Sequence, residues 1–368
     1  MAEGFRHIVE ANGVQVAGMQ LFEIAREKKK KLSEWGIREL YEAFCGDQVR
    51  NFLDSKPGYH VVQEADVQSS AFSNIIGVLI TNEVIAAYGA VPTIGGQLVK
   101  NYPSKMKNET MAGFSPADDV EDVNEDQDYP EAGLTDKYVT LPDPKKKGKV
   151  IYLTEEVIFY DQTAQVVIRA QKIGERAAEV KEKRIISGVC GGHVCYSPSG
   201  TPTALYGGSP QLVGSNALAD YTDLEKCETD GLGAMVDEKG NKIAVRAKIV
   251  LVPRALWRTL TRILNSTTVA VTTGSATIDT WSANPYRPGE LIPLMSDFVS
   301  TYTSNTTSWF MGDPQKQFYW KEVYPIQTFR LADMSLLEFK KDVKFAFKVR
   351  YKGDIFAADN KYFCKNNA

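Results

Sequence analysis

Three side chains able to ligate a metal or attack a carbon fall close together in this sequence, as Cys190-x-x-His193-x-Cys195. Thiolate and imidazole are the usual ligands of zinc, but a structural site needs four of them and a catalytic site three plus water. No matching second half follows, and Cys227 completes a set only if the fold delivers it. The same residues could form a Cys–His nucleophilic pair, yet no acid is spaced to orient the imidazole. The competing reading is a Gly-rich turn that ends a helix, since Gly191 and Gly192 sit inside the cluster. Cys190, His193 and Cys195 are therefore only weak metal candidates, and the expectation is no metal site.

Other chemistry is thinner still. There are three histidines in all, His7, His60 and His193, so acid–base work has few candidates. The Gly-Lys-Ser/Thr ending of a phosphate loop is missing. Gly207, Gly208, Ser209 and Pro210 do not make a nucleophile elbow, which needs Gly two places on either side of the Ser. The acidic block within 118–131 lacks the Gly and closing Glu of a calcium loop. The expectation is a chain with no catalytic residues and no cofactor.

Composition bounds the class of protein rather than its role. The chain has 368 residues, 43% hydrophobic and 24% charged, enough for two compact domains or one elongated subunit. A formal net charge of -3 argues against a dedicated nucleic-acid binder, though not against a protein that lines a compartment holding nucleic acid. Five cysteines form no dense framework, which suits a reducing cytoplasm. The start, MAEGFRHIVEANG, has neither the basic opening nor the apolar run of a signal peptide. No apolar run reaches membrane-spanning length, Asn82 and Glu83 interrupting the best one.

These residues need elements to hold them. Val14 to Lys31 has helical spacing, and Ser33 to Phe44 reads as a second helix with a Ser cap. The run Lys28, Lys29, Lys30 and Lys31 is either a cationic last turn complementing the helix dipole or an arm that touches phosphates. Ala71 to Tyr88 is apolar on most sides, so it must be buried or lie at a subunit contact. Lys149 to Tyr160 reads as a strand. Asp161 then caps a helix to Ile186, about 25 residues and roughly 38 Å long. Its apolar stripe is Val166, Ala170, Ile173, Ala177 and Val180, and it carries Arg169, Lys172, Arg176 and Lys181 on the rest of its surface. Residues 190–242 read as Gly-rich and irregular. Ile243 to Val252 is β-like, and Pro253 opens a helix to Leu264 from its favoured first position. At the C-terminus, Val343 to Tyr351 and Ile355 to Cys364 read as two strands joined at Lys352, Gly353 and Asp354.

Residues 101–149 stand apart as a polar, Pro-containing stretch. They are acidic first, through Asp118, Asp119, Glu121 and Asp122, and basic later, through Lys145, Lys146, Lys147 and Lys149. So long a loop is either a solvated insertion or an arm reaching a neighbouring subunit, its charge blocks pairing across the contact.

The order of these parts resembles the major capsid proteins of tailed bacteriophages, of the Hong Kong 97 type fold, in the branch typified by phage Mu. Four segments carry the resemblance. One is the polar loop followed by KVIYLTEEVIFYDQTAQVVIRAQKIGERAAEVKEKRIISGV, and the next is GTPTALYGGSPQLVGSNALADYTDLEKC. Then come GNKIAVRAKIVLVPRALWRTLTRILNST, and WFMGDPQKQFYWKEVYPIQTFR with FKVRYKGDIFAADNKYF. Together they cover roughly residues 65–365.

The resemblance implies an α+β fold. It has a helical N-terminal arm over 1–64, a peripheral domain beginning at 65–104 and an extended loop over 105–150. The peripheral domain resumes with a spine helix over 151–194. An axial domain spans 195–330, with peripheral contributions near 243–265, and return strands fill 331–368. It further implies self-assembly into pentamers and hexamers of an icosahedral or prolate head around double-stranded DNA. Expected partners are a scaffolding protein, a portal and a decoration protein; expected locations are the virion and, during assembly, the host cytoplasm. DNA contact would be non-specific, with Lys28 to Lys31, Arg169, Lys172 and Arg176 facing the interior. The front is short beside relatives with a cleaved scaffolding domain, so an uncleaved arm is expected. Some relatives cross-link Lys to Asn, which draws notice to Asn366 and Asn367, but no Glu is spaced to catalyse it. An encapsulin-type bacterial compartment is the alternative function.

Overall fold

The computed structural model describes residues 80–112, 122–124, 138–154, 163–237, 240–272, 279–286, 289–330 and 343–367. The helices expected over 14–31 and 33–44, the run Lys28 to Lys31, and Asp118, Asp119, Glu121 and Asp161 lie outside them. Helix α1 covers 80–90 and α2 covers Gly95–Leu98. Strand β1 (Lys100–Pro103) leads to β2 (Thr110–Ala112) and β3 (Tyr138–Thr140), an antiparallel pair that frames the long polar segment. Strand β4 (Lys146–Thr154) precedes the long helix α3 (Thr163–Val189). Beyond β5 (Leu212–Val213), helix α4 (Tyr221–Lys226) runs on through a π turn over Cys227–Gly231. Strand β6 (Ile249–Val252) feeds α5 (Arg254–Asn265), and the hairpin β7 (Thr268–Thr272) and β8 (Asp279–Ala283) follows. Next come β9 (Ile292–Met295), α6 (Phe298–Thr303), β10 (Trp309–Gly312) and α7 (Pro314–Gln317). Three strands remain: β11 (Phe318–Arg330), β12 (Val343–Ala357) and β13 (Phe363–Asn366). The class is α+β, as expected.

Two compact units make up the chain. One draws on Met1–Pro92, Lys146–Val180 and Pro325–Tyr351, the other on Thr93–Lys145, Lys181–Tyr324 and Lys352–Ala368. In the first unit, α1 packs closely on α3. A Cβ at Gly174 would lie 2.4 Å from the Val84 carbonyl oxygen, so only glycine admits the α1 backbone there. Gln171 Nε2 donates to Glu83 Oε2 at 2.8 Å across the same contact. The buried stripe of α3 in this unit is Val167, Ala170, Gly174 and Ala178. That differs in phase from the expected stripe, which ends on Val180, a residue 40% exposed. Small residues win because they let the helices approach, a gain invisible when apolar side chains are ranked by size. Ile85, expected to be covered, is exposed in the single chain.

A five-stranded sheet of order β5-β13-β10-β6-β9 centres the second unit. Strand β10 runs antiparallel to β13 and β6, while β13 is parallel to β5 and β6 to β9. Every residue of β6 and of β10 is buried, which is why both read as unbroken apolar runs rather than alternating ones. Leu224, Cys227, Val250, Leu260, Trp309 and Cys364 belong to one core here. Each large side chain so buried contributes roughly 1.5–3 kcal/mol.

Two turn assignments change. The expected break at Lys352 to Asp354 is absent, since β12 runs straight through it. Gly353 is there for space, not for a turn. A Cβ on it would meet the Trp320 ring at 2.7–2.8 Å. Pro253 sits at the N-cap of α5 rather than inside the helix. Within the stretch expected to be irregular, α4 forms behind a capping box of Asp220 and Asp223.

Candidate assembly surfaces

The Cys–His segment is the end of α3. Cys190 N–H donates to the Ile186 carbonyl at 2.8 Å, Gly191 takes φ +74°, and Gly192 N–H donates to the Ser187 carbonyl. This is a helix stop with a left-handed glycine, as the Gly-rich turn reading requires. Both thiols are buried. Burial pushes Cys195 up to about 12 and Cys190 higher still, so both stay protonated near neutrality and are poor nucleophiles and poor ligands. His193 Nδ1 lies 3.1 Å from Ser187 Oγ. Among the described residues no three His, Cys, Asp or Glu side chains are grouped to hold a metal ion.

At the root of the long loop the geometry is tighter. Glu109, just ahead of β2, accepts hydrogen bonds from the Tyr102 hydroxyl at 2.8 Å and from the Ser104 hydroxyl. Its Oε2 lies 3.2 Å from Nζ of Lys321 on β11, a lysine with no exposed surface. Burial alone would raise the Glu109 carboxyl, but the bonds from Ser104 and Tyr102 and the Lys321 charge outweigh it and hold it below the ordinary value. The loop therefore leaves the fold from an anchored base. The β2–β3 pairing and a bond from Ser199 N–H to the Tyr138 carbonyl reinforce that base.

Among the candidate loop residues, Asp122 is exposed. Lys145 and Lys146 are exposed, and Lys147 Nζ sits 5.9 Å from the Tyr351 ring centre. No ion pair joins Asp122 to Lys145 or Lys146 among the described residues. Lys146, Lys147 and Lys149 belong to β4, not to the loop. In the sheet order β1-β11-β12-β4 that strand lies at an end, where lysines discourage stray strand pairing.

Helix α3 brings Arg169, Lys172 and Arg176 onto one exposed face, with Arg176 paired to Glu179. Lys181 departs from that face. It is half-buried, with Nζ 5.1 Å from the Trp320 ring centre, and desolvation lowers its pKa against the pull of Glu322 and Glu182.

Sequence reasoning missed two charged anchors on α3. Glu182 lies in the buried stripe, its Oε1 accepting from Ile94 N–H at 3.0 Å and its Oε2 from Gly95 N–H at 2.9 Å. Arg184 grips Asp354 with two bonds, of 2.6 and 3.0 Å. Correct phasing of the stripe through Ala178 to Glu182 and Ile185 is the signal that would have exposed Glu182. Asn366 is fully buried, and its side-chain oxygen accepts from Asn216 Nδ2 at 2.9 Å, so it serves the core rather than a cross-link.

Comparison with known proteins gives one family. A model described as phage capsid protein matches residues 137–366. No curated protein matches the chain. Solved structures with a similar trace include a virus-like particle from Pyrococcus furiosus, at 9% identity and TM-score 0.43, covering 79% of this chain and 99% of that one. A chain of Mycobacterium phage Ogopogo matches at 14% identity and TM-score 0.44, covering 74% and 91%. The mature capsid of bacteriophage PhiM1 matches at 11% identity and TM-score 0.48, covering 75% and 87%.

Proposed function

Because the chain belongs to the phage capsid protein family, we propose that it closes into pentamers and hexamers of an icosahedral or prolate head around double-stranded DNA. That it is a capsid protein forming a shell, and acts in the virion, is what the family establishes. The match over residues 137–366 carries the reading, since it reaches from the return of the long loop to the last strand of the five-stranded sheet. In Hong Kong 97 type terms, α3 is the spine helix and β1, β4, β11 and β12 its sheet. The five-stranded sheet with α4 and α5 is the axial domain, and β2 and β3 root the extended loop. The branch this chain resembles is that of phage Mu.

Assembly needs no chemistry, only several modest contacts that every copy repeats, so the shell is stable while single contacts stay reversible. The loop reaches a neighbour and presents its acidic block, with Lys145, Lys146 and Lys147 near its return. Arg169, Lys172 and Arg176 face the interior and touch phosphates without reading sequence. A scaffolding protein, a portal and a decoration protein are the further partners of this reading. The encapsulin-type alternative is weaker, because the matching family is one of phage capsids.

Electron microscopy of the expressed full-length chain tests the proposal, with closed shells built on five- and six-fold rings as the expected result. Replacing residues 113–137 by a short Gly-Ser turn keeps the β2–β3 ladder and removes the reach of the loop. That variant should stay folded and soluble but fail to close shells. Normal shells from it overturn the loop's role.

A further inference from the structure

Helix α5 carries an arginine stripe that its own chain does not neutralise. Leu260, Ile263 and Leu264 turn inward, while Arg254, Arg258 and Arg262 recur every fourth residue on the exposed side. The helix contains no acidic residue. Arg254 is held by Asp297 through bonds of 2.6 and 2.8 Å, but among the described residues Arg258 and Arg262 have no acidic partner.

The opposite imbalance sits at the end of α4 and in the π turn after it, where Glu225 and Glu228 are exposed one helical turn apart. Partial burial pushes the Glu228 carboxyl above its usual value, against the Tyr286 hydroxyl and the Arg246 charge, while the charges of Glu290 and Glu225 push it further up. The nearby cation, Arg246, is engaged by Glu290 at 3.1 Å. Among the described residues, Arg258, Arg262, Glu225 and Glu228 thus have no ion-pair partner on their own subunit.

Their places in the sheet suit a pairing between copies. The π turn packs on β5 and β13, at one end of the strand order, and α5 packs on β6 and β9, at the other. The two elements share one buried core, yet among the described residues no ion pair joins Arg258 or Arg262 to Glu225 or Glu228 within a copy. Paired between copies, they generate a head-to-tail contact that closes into a ring when the rotation fits. We infer that Arg258 and Arg262 on α5 of one copy dock on Glu225 and Glu228 of the next copy around a capsid ring.

This rests on the shell-forming reading above and adds to it one interface and its polarity. Packaged DNA is the rival occupant of the stripe. The matched carboxylate pair on the same chain favours a second copy, because phosphate binding leaves Glu225 and Glu228 unexplained.

Charge reversal in the full-length chain decides it. Arg258→Glu with Arg262→Glu, and separately Glu225→Lys with Glu228→Lys, should each raise the concentration needed for assembly at least about tenfold. Circular dichroism and melting of each subunit should match the parent. The four changes combined restore attraction in the reversed sense, so assembly should return. A fold defect would not be rescued that way, and the milder Arg258→Gln with Arg262→Gln should slow assembly if the reversal variant misfolds. Failure of the combined chain where each pair alone fails overturns the inference. So does normal assembly of the arginine variant, and normal assembly with loss of DNA retention assigns the stripe to DNA instead. In all these cases the shell reading stands. A parent chain that forms no shells overturns both.

Discussion

Glu109 and Glu182 are carboxylates withdrawn from water in the same unit, but they are held in opposite ways. Glu109 faces a buried cation, Lys321, and two hydroxyls, and its acidity rises above that of a free carboxyl. Glu182 faces the backbone N–H groups of Ile94 and Gly95; burial dominates there and its carboxyl is raised instead. Two hydroxyl donors joined by a counter-charge overcome the cost of leaving water, whereas amide dipoles here only reduce it. The first arrangement therefore depends on hydroxyl donors and a partner charge, the second on close backbone geometry.

The sharpest way to break the first is Lys321→Met. It leaves Glu109 buried without its cation and should cost about 3 kcal/mol in the urea unfolding of unassembled subunits. Adding Glu109→Gln should recover most of that loss, which separates a stranded charge from a lost contact. An unchanged double variant would show that Lys321 acts through packing.

Gly95→Ala attacks the second arrangement. Its Cβ would lie 2.6 Å from Glu182 Oε2 and 2.8 Å from Ile185 Cδ1. A loss of about 2 kcal/mol is expected by the same measurement, as for overpacking elsewhere. Glu182→Ala in the same chain should make that loss smaller than the sum of the two single changes.

Glu182→Gln should matter least among the substitutions, within about 1 kcal/mol, because the amide oxygen still accepts a backbone bond while the penalised charge is gone. Glu109→Gln alone, which strands Lys321, should cost clearly more. Equal costs would erase the contrast.

The smallest effect is the pH profile. Glu182, raised in the fold, costs stability above its folded value, and that cost is relieved as pH falls through it. Glu109, lowered in the fold, stabilises above the ordinary carboxylate range, and its contribution is lost as pH falls through its folded value. Urea midpoints from neutrality to about pH 3 should show Glu182→Gln removing a small gain on the upper limb. Glu109→Gln should remove part of the loss on the lower one.

Neither arrangement was legible in the sequence, and of the elements that carry them only the long helix and the strands after residue 268 were. The long helix was expected over 161–186 and runs from Thr163 to Val189, and the Val-Pro junction before α5 was found in place. Periodicity gave those because one face of each is apolar over several turns. It failed where packing turned on small residues. Gly174 and Ala178 set the phase of α3, and Gly353 looked like a turn because its Trp320 neighbour lies remote in the chain. Glu182 and Lys321 were missed because charged residues are assigned to surfaces until their partners are known. For the surface of α5 the sequence showed three arginines but not which of them Asp297 would claim.

Strand β13 sits second in its sheet, between β5 and β10. Its partner β5 begins at residue 212, so that sheet cannot close until some 150 further residues have left the ribosome, roughly ten to thirty seconds of synthesis. Through that interval β5 has no strand partner, and β10, once made, keeps an open edge. A nascent subunit is then incompletely folded, and interfaces built on that sheet do not yet exist. Translation thereby acts as a timer. A chain that has not yet made β13 cannot present this sheet complete to a neighbouring subunit.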